Sequence, residues 1–370
     1  MKPKRRAGSL RRSGKRTTGR GARDREITIQ DVAGLAGISA ATVSRVLNGS
    51  GYVGEKTRRK VLDVIEATGY MPNAAARTLV TQRTKLIGLV FPTLENPVYT
   101  EILKGANDAA MDAGYSVVLG IVGEDEGVSH SALLRFAALQ VDGIIASNPE
   151  YHRRKNVEHL TPFMQKNTPL VHLGEPDADH GIDGIEVNDY EGGYEVGRHL
   201  ARLGHEKVCI IGQDDNLFVA RRHEGFRTAY RDAGLPLSNL HVEMADFTRA
   251  GGYEAALRIA KELPETSAVF AMNDIMAIGA LEAFEQAGKT VPADIAVVGF
   301  DGIQMGLLTR PRLTTFVIPS WEIGRTLAEL LVDRIEGRFS GPAKSVVVSG
   351  RLAIRESTLG SRKVMDLGQA

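Results

Sequence analysis

The chain has 370 residues, enough for two or three domains around a large buried core. Hydrophobic residues make up 43% and charged residues 25%, an ordinary soluble composition, and a single cysteine excludes both an intrachain disulfide and a Cys-rich zinc site. The net charge of +1 conceals an asymmetry: residues 1–85 carry 19 Lys and Arg against 6 Asp and Glu (+13), and the 27 basic and 39 acidic residues that follow give −12.

A basic end on an acidic body points to a polyanion partner for that end. Residues 1–25 hold eleven Lys and Arg, the single acid Asp24 and almost no apolar side chains, so this tail is expected to be disordered. It serves either as an arm for phosphate contacts or as a solvated extension. The opening MKPKRRAGSLRRSGKRTTGR lacks the apolar centre of a signal peptide, and no apolar run approaches the roughly 20 residues of a membrane span. A cytoplasmic protein with no membrane partner is the expectation.

Three short helices are predicted next. Thr28 with Asp31 three places on makes a candidate capping box, and Gly37 closes the helix whose apolar face is Val32, Ala33 and Ala36. Ser39 can cap the second, with Val43, Val46 and Leu47 as its stripe. The third starts near Glu55, is expected to bury Val61, Leu62 and Ile65, and ends at Gly69. Helix, short turn with Gly37, helix is the helix-turn-helix pattern. Between the second and third helices, GSGYVGEKT comes close to a nucleotide-binding loop. Glu55 stands where such a loop has its lysine, and a carboxylate there repels phosphate; the segment also follows a helix instead of a strand. Its glycines read as turn residues.

From residue 86 the texture changes. β-rich runs (LIGLVF, YSVVLGIV, GIIAS, PLVHLG, KVCIIG, SAVFAM, DIAVVGF) alternate with amphipathic helical stretches. Such alternation means parallel sheets with helices on both faces, and the length calls for two α/β lobes with a cleft between them. Cys209 within VCIIG reads as a buried structural thiol, and His205 in LGHEKV as a structural residue at the start of a βα unit.

Position for position, TIQDVAGLAGISAATVSRVLNG resembles the helix-turn-helix of the LacI family of bacterial transcription regulators, and GYMPNAAARTL resembles that family's third-helix end and hinge. The likeness continues through LIGLVFPTLENPVY, VDGIIAS, VNDYEGGYEVGRHLARLGHEKVCIIG, AMNDIMAIGALEAFEQAG, VPADIAVVGFDG, RPRLTTFVIP and RLAIREST, covering about 26–358. The resemblance implies an α/β chain in several parts: a tail (1–25), an all-α helix-turn-helix head (26–71), a hinge helix and linker (72–84), a two-lobed periplasmic-binding-protein-like core of parallel sheets flanked by helices (85–358), and a C-terminal tail (359–370). The N-lobe is expected at about 85–204 and 316–345, the C-lobe at about 205–315 and 346–358. Also implied are a homodimer on a near-palindromic double-stranded operator and a small effector, a sugar or derivative more than a nucleobase, in the core. No cofactor or metal is called for.

In that family the second helix enters the major groove. This sets Ala40, Ala41 and Arg45 toward base edges; Arg45 can pair bidentately with guanine, worth roughly 1–3 kcal/mol of discrimination. Thr28, Ser39, Thr42, Ser44 and Asn48 become candidates for phosphate contacts. In the hinge, the resemblance gives Asn73, Ala75 and Ala76 a close approach to the minor groove and makes Leu79 a wedge at the central step. In the core it aligns Arg222 and Asp301 with polar effector contacts, Asn273 with an amide contact, Phe247 with an aromatic wall and Tyr99 with the first pocket loop. Phe218 and Arg221 are further candidates for the cleft. An Arg, an acid, an amide and a ring suit a polyhydroxylated ligand, although each can equally be a structural residue. Where many relatives have an aromatic directly after Asn-Pro, this chain has Val98, which argues against a two-ring sandwich.

Catalysis finds little support: the nine histidines form no HExxH pair and no GxSxG elbow occurs. The rival readings are a sugar-binding receptor of a transport system, which requires export, and a doubly wound enzyme, which requires a phosphate loop or a paired acid and base.

Overall fold

The computed structural model describes residues 27–48, 51–71, 78, 81–122, 126–147, 163, 165–212 and 217–359. The basic tail and the hinge residues Asn73, Ala75, Ala76 and Leu79 lie outside the described residues. Two compact units divide the chain, one ending at Arg83 and the other starting at Thr84.

In the first unit, α1 (Ile29–Ala36) opens on a capping box. The Thr28 amide donates to Asp31 Oδ2 at 2.9 Å, and the Asp31 amide donates to Thr28 Oγ1 at 3.3 Å. Gly37 ends it in the left-handed region, φ 63°, where a side chain is disfavoured. Ser39 caps α2 (Ala40–Asn48), its Oγ accepting from the Thr42 amide at 3.1 Å. Gly54 begins α3 (Glu55–Thr68), so GSGYVGEKT is the turn into that helix. Val32, Ala33, Val43, Val46 and Val61 make the core, with Ile29, Ile38, Ala40, Leu47, Val64 and Ile65 packed on it. One expectation is corrected. Leu62 is 51% exposed, and Val64 takes the core position in its place. Val61, Val64 and Ile65 follow the i, i+3, i+4 stripe, whereas Leu62 points about 100° away from Val61.

The second unit holds two six-stranded sheets. The first runs β11-β5-β4-β3-β1-β2, entirely parallel: β1 (Leu86–Phe91), β2 (Ser116–Ile121), β3 (Gly143–Ala146), β4 (Leu170–Leu173), β5 (Asp183–Val187) and β11 (Ser345–Val348). The second runs β12-β10-β9-β8-β6-β7: β6 (Val208–Ile211), β7 (Leu240–Glu243), β8 (Ala268–Ala271), β9 (Ala296–Asp301), β10 (Thr314–Val317) and β12 (Arg351–Ala353). Only the β10–β12 pairing is antiparallel. Every residue of β3, β6, β8 and β9 is buried, without alternation, because helices cover both faces. Asp183 fastens the edge: it accepts from Arg334 Nη2 at 2.6 Å and from the Lys344 amide at 2.7 Å.

The helices are α4 (Pro97–Asp112), α5 (Glu126–Leu139), α6 (Asp189–Arg202), α7 (Leu217–Asp232), α8 (Arg249–Glu262), α9 (Asp274–Gln286) and α10 (Ser320–Ile335). Reciprocal glycines join six of these seven in three pairs. Gly105 of α4 faces the Trp321 carbonyl and Gly324 of α10 faces that of Ile102; Gly193 of α6 faces Arg222 and Gly225 of α7 faces Tyr190; Gly252 of α8 faces Met276 and Gly279 of α9 faces Arg249. A Cβ at any of these positions would collide with the opposing backbone, so glycine sets the closeness of each pair.

This packing moves the expected lobe boundaries. Helix α6, expected in the N-lobe to residue 204, packs on α7 and on β10 and β12 of the second sheet, and Gly192 seats it over Phe300 and Phe316. The crossing therefore falls at Asn188, the N-cap of α6. The return comes at Ile318–Pro319, after β10, instead of at 316. The last crossing follows Val348, since β11 pairs with β5 three residues beyond the expected boundary at 345.

Candidate nucleic-acid interface and effector cleft

On α2, Ala41 and Arg45 are exposed and lie four residues apart, one turn above the other on the same face. Thr42 and Ser44 are partly exposed beside them. Ala40 sits differently: it is half-buried and packs on the head core, which turns its methyl away from the Arg45 face. Ser39 Oγ and Thr42 Oγ1 share a hydrogen bond at 2.9 Å, and the Thr28 hydroxyl donates to Asp31 Oδ2 at 2.7 Å. Both serine and threonine hydroxyls are thus ordered by helix capping. Asn48 closes α2, with its side chain outside the described residues. Lys56, Arg59 and Lys60 are exposed on α3, and Tyr52, in the turn before it, is 96% exposed.

In the core, the proposed pocket residues converge where the strands of both sheets end. Arg222, on α7, donates from Nε to Asp189 Oδ1 at 2.7 Å and from Nη1 to the Met272 carbonyl at 2.5 Å. Its guanidinium carbon lies 3.6 Å from the centre of the Phe300 ring. Three contacts therefore set the plane of its guanidinium. Asp301 ends β9 with φ 113°, a region that favours glycine, and its Oδ2 accepts from Asn96 Nδ2 at 2.9 Å. Burial pushes the Asp301 carboxyl up to about 6, while the Arg222 charge and the Asn96 amide pull the other way. Tyr99, on α4, packs on Phe91 with ring centres 5.2 Å apart. Burial, and then the Asp301 charge, push its hydroxyl well above the usual range.

The other sequence candidates stand close by. Asn273 caps α9, its Oδ1 accepting from the Met276 amide at 2.8 Å and its Nδ2 donating to the Phe247 carbonyl at 3.3 Å. Its amide is thus engaged within the second lobe, and Phe247 is positioned through it. Phe247 and Phe218 are both partly exposed. Arg221 reaches across to the first sheet's lobe, pairing with Glu175 and, at 3.4 Å, with Glu186.

Three residues of this site went unnamed in the sequence reading. Asp189 orients Arg222; Asn96 meets Asp301. Asp274 holds the loop after β9: its Oδ2 accepts from the amides of Gly302 and Ile303 at 2.8 Å, and its Oδ1 from the Thr315 hydroxyl at 2.5 Å. Burial, then the Asp301 charge, push the Asp274 carboxyl up to about 8. The available signals were the Asp following Asn273 in AMND and the Asn-Asp pair opening α6 in VNDYEGG.

Against known proteins, residues 28–73 match the model of bacterial regulatory proteins of the lacI family, and residues 198–358 match that of periplasmic binding protein-like domains. Over 344 residues the chain is 34% identical to the HTH-type transcriptional regulator CelR of Thermobifida fusca, covering 90% of this chain and 99% of that one. The chain belongs to the LacI family. Among solved structures, this LacI-family regulator is similar to the lac repressor dimer bound to operator and the anti-inducer ONPF, with a TM-score of 0.77 and 26% identity over 90% of this chain and 99% of that one. It is also similar to the CelR–cellobiose complex, with a TM-score of 0.67, 30% identity and the same coverage. Its function is DNA-binding transcription regulation, and the transport-receptor reading gives way. No helix among the described residues is long and apolar enough to cross a membrane.

Proposed function

We propose that this LacI-family regulator works in the cytoplasm as a homodimeric, non-enzymatic repressor. It binds a near-palindromic operator and is switched by a sugar or sugar derivative in the cleft of the core. Residues 26–71 read the major groove through Ala41 and Arg45, with Thr28, Ser39, Thr42, Ser44 and Asn48 toward phosphates; Ala40 supports the helix from the core side. Asn73, Ala75, Ala76 and Leu79 supply the minor-groove contact. In the core, Arg222, Asp301 and Tyr99 face the effector, with Phe247, Asn273 and Phe218 around them. The observation that carries the effector half is the junction of Arg222, Asp301 and Tyr99 at the strand ends of both sheets. Donors and acceptors held that rigidly suit vicinal hydroxyls, and such crevices are where open α/β sheets bind ligands. The likeness to a cellobiose-bound regulator supports the same ligand class.

Gel-shift selection from genomic fragments, with and without a panel of sugars, tests this. The expected result is a set of related near-palindromes whose retention one sugar class alters; that sugar also raises the melting temperature of the free protein. Arg45→Ala is expected to relax base preference at one position of each half-site by about 1–3 kcal/mol while weak non-specific binding persists. Binding no tighter than to random duplex at moderate salt overturns the operator reading. A panel without any stabilising sugar overturns the effector class.

A further inference from the structure

We infer that Asn96 and Asp301 form a latch across the cleft, so that an effector reaches the Asp301 carboxylate by displacing the Asn96 amide. This rests on reading the cleft as the effector site.

Asn96 belongs to the first sheet's lobe. It follows β1 and caps α4, its Oδ1 accepting from the Val98 amide at 3.1 Å. Its Nδ2 donates to Asp301, the last residue of β9 in the second sheet. One side-chain amide thus has its acceptor committed to its own lobe and its donor to the opposite one. Both residues are buried, at 8% and 6% exposure. A hydrogen bond to an ionised acceptor in such surroundings is stronger than one between neutral groups, and losing it leaves a buried carboxylate short of a donor.

The neighbouring groups bear differently on closure. Arg222 is fastened within the second lobe, to Asp189 and the Met272 carbonyl. Arg221 does span the cleft to Glu175 and Glu186, but its side chain is 40% exposed, and ion pairs at that exposure contribute little. The buried Asn96–Asp301 bond is therefore the stronger tie. Asp301 lies near the carboxylates of Asp189 and Asp274 as well as the Arg222 cation, and its side-chain hydrogen bond comes from the neutral Asn96 amide. An effector hydroxyl can take over the donation of Asn96 without adding charge. The exchange would loosen Asn96 and with it the N-terminus of α4, giving the ligand a differential hold on two arrangements of the lobes.

Distances between spin labels in the ligand-free full chain test the latch. Labels on Lys166→Cys and Ala293→Cys occupy exposed positions just before β4 and β9, at the strand ends away from Asn96 and Asp301. The native Cys209 is buried. Labelled chains are diluted with unlabelled ones to suppress signals between subunits. Asn96→Asp keeps the cap of α4, since Asp and Asn cap equally well, but sets a second carboxylate against Asp301. It is expected to shift the distance distribution by several ångströms to longer values. Adding Asp301→Asn exchanges donor and acceptor and is expected to restore the original distribution. Asn96→Ala, which removes the donor without adding charge, is expected to give the same lengthening if Asn96→Asp does not fold. A single-variant distribution identical to that of the parent, or an exchange variant as wide as Asn96→Asp, overturns the latch. No ligand enters the measurement, so failure of the sugar panel sinks the effector reading and leaves these distances to be judged alone.

Discussion

Arg222 is held by a carboxylate, a carbonyl and a ring, and its partner Asp189 has a side chain only 1% exposed. Removing one member of a buried pair leaves the other charge stranded, at a cost of about 3–5 kcal/mol. Arg222→Ala is therefore expected to lower thermal stability as well as any sugar response, and adding Asp189→Asn to recover most of the stability but not the response, measured by melting with and without sugar. Asp301 gives a pH signature. Its folded-state carboxyl lies at about 6, above the ordinary 3.8. A raised carboxyl contributes stability that is full below the unfolded value and is lost as pH rises through the folded one. Urea melts of the parent and of Asp301→Asn are expected to diverge in the variant's favour between about pH 4 and pH 6, and to go on widening towards pH 8 because the Asp301 charge also holds the Asp274 carboxyl up; a gap independent of pH contradicts it. At this scale the sequence was only half legible. Arg222, Asp301 and Tyr99 could be named from their motifs, and the structure brings them together. Asn96 could not, because its partner lies 205 residues away in the chain and no spacing rule connects them, and Asp189, 33 residues from Arg222, is marked only by the Asn-Asp pair that opens α6.

Among the elements, capping chemistry and buried runs were readable, and backbone contact was not. Thr28, Gly37, Ser39 and Gly69 stand at helix ends because their side chains, or the lack of one, satisfy terminal amides or admit φ near 63°. The apolar runs became β1–β4, β6, β8 and β9. The remaining strands, DGIEV, LHVE, TTFV, SVVV and RLA, are short, and several lie at sheet edges, where half their side chains meet water and the apolar signal fades. The glycines that seat α6 on α7 carry no periodic signal, so the sequence does not show which lobe that helix joins. Two glycine substitutions separate these effects. Gly193→Ala places a methyl against the Arg222 carbonyl and is expected to destabilise the core by about 3 kcal/mol. Gly34→Ala, within α1 and with nothing inside 4 Å of its Cβ, is expected to stabilise the head by about 0.5–1 kcal/mol. Chemical denaturation of each variant checks both signs.

The molecule as a whole divides its charge as it divides its labour. The first 85 residues carry +13 and the rest −12, so affinity for duplex resides at one end, and the other end resists close approach to it. Operator affinity, followed by fluorescence anisotropy, is expected to fall by at least about a thousandfold between roughly 50 and 200 mM salt. Deleting residues 1–25 is expected to make that slope shallower, as an arm on phosphates requires; an unchanged slope marks the segment as a solvated extension. The head, the two sheets and their parallel order were legible at this scale because composition and strand–helix alternation are global signals. The points where the chain passes between lobes were not, since those depend on which sheet a connecting helix finally packs against.

The paired glycines of α4–α10, α6–α7 and α8–α9 carry a consequence for how such a sensor can change over generations. A position where even a methyl would meet the opposite backbone is expected to admit little but glycine, which leaves changes of ligand preference to the loops at the strand ends. Ligand taste can be rewritten there without disturbing the scaffold. That makes the core a suitable cassette for grafting new chemical detection onto an unchanged reading head.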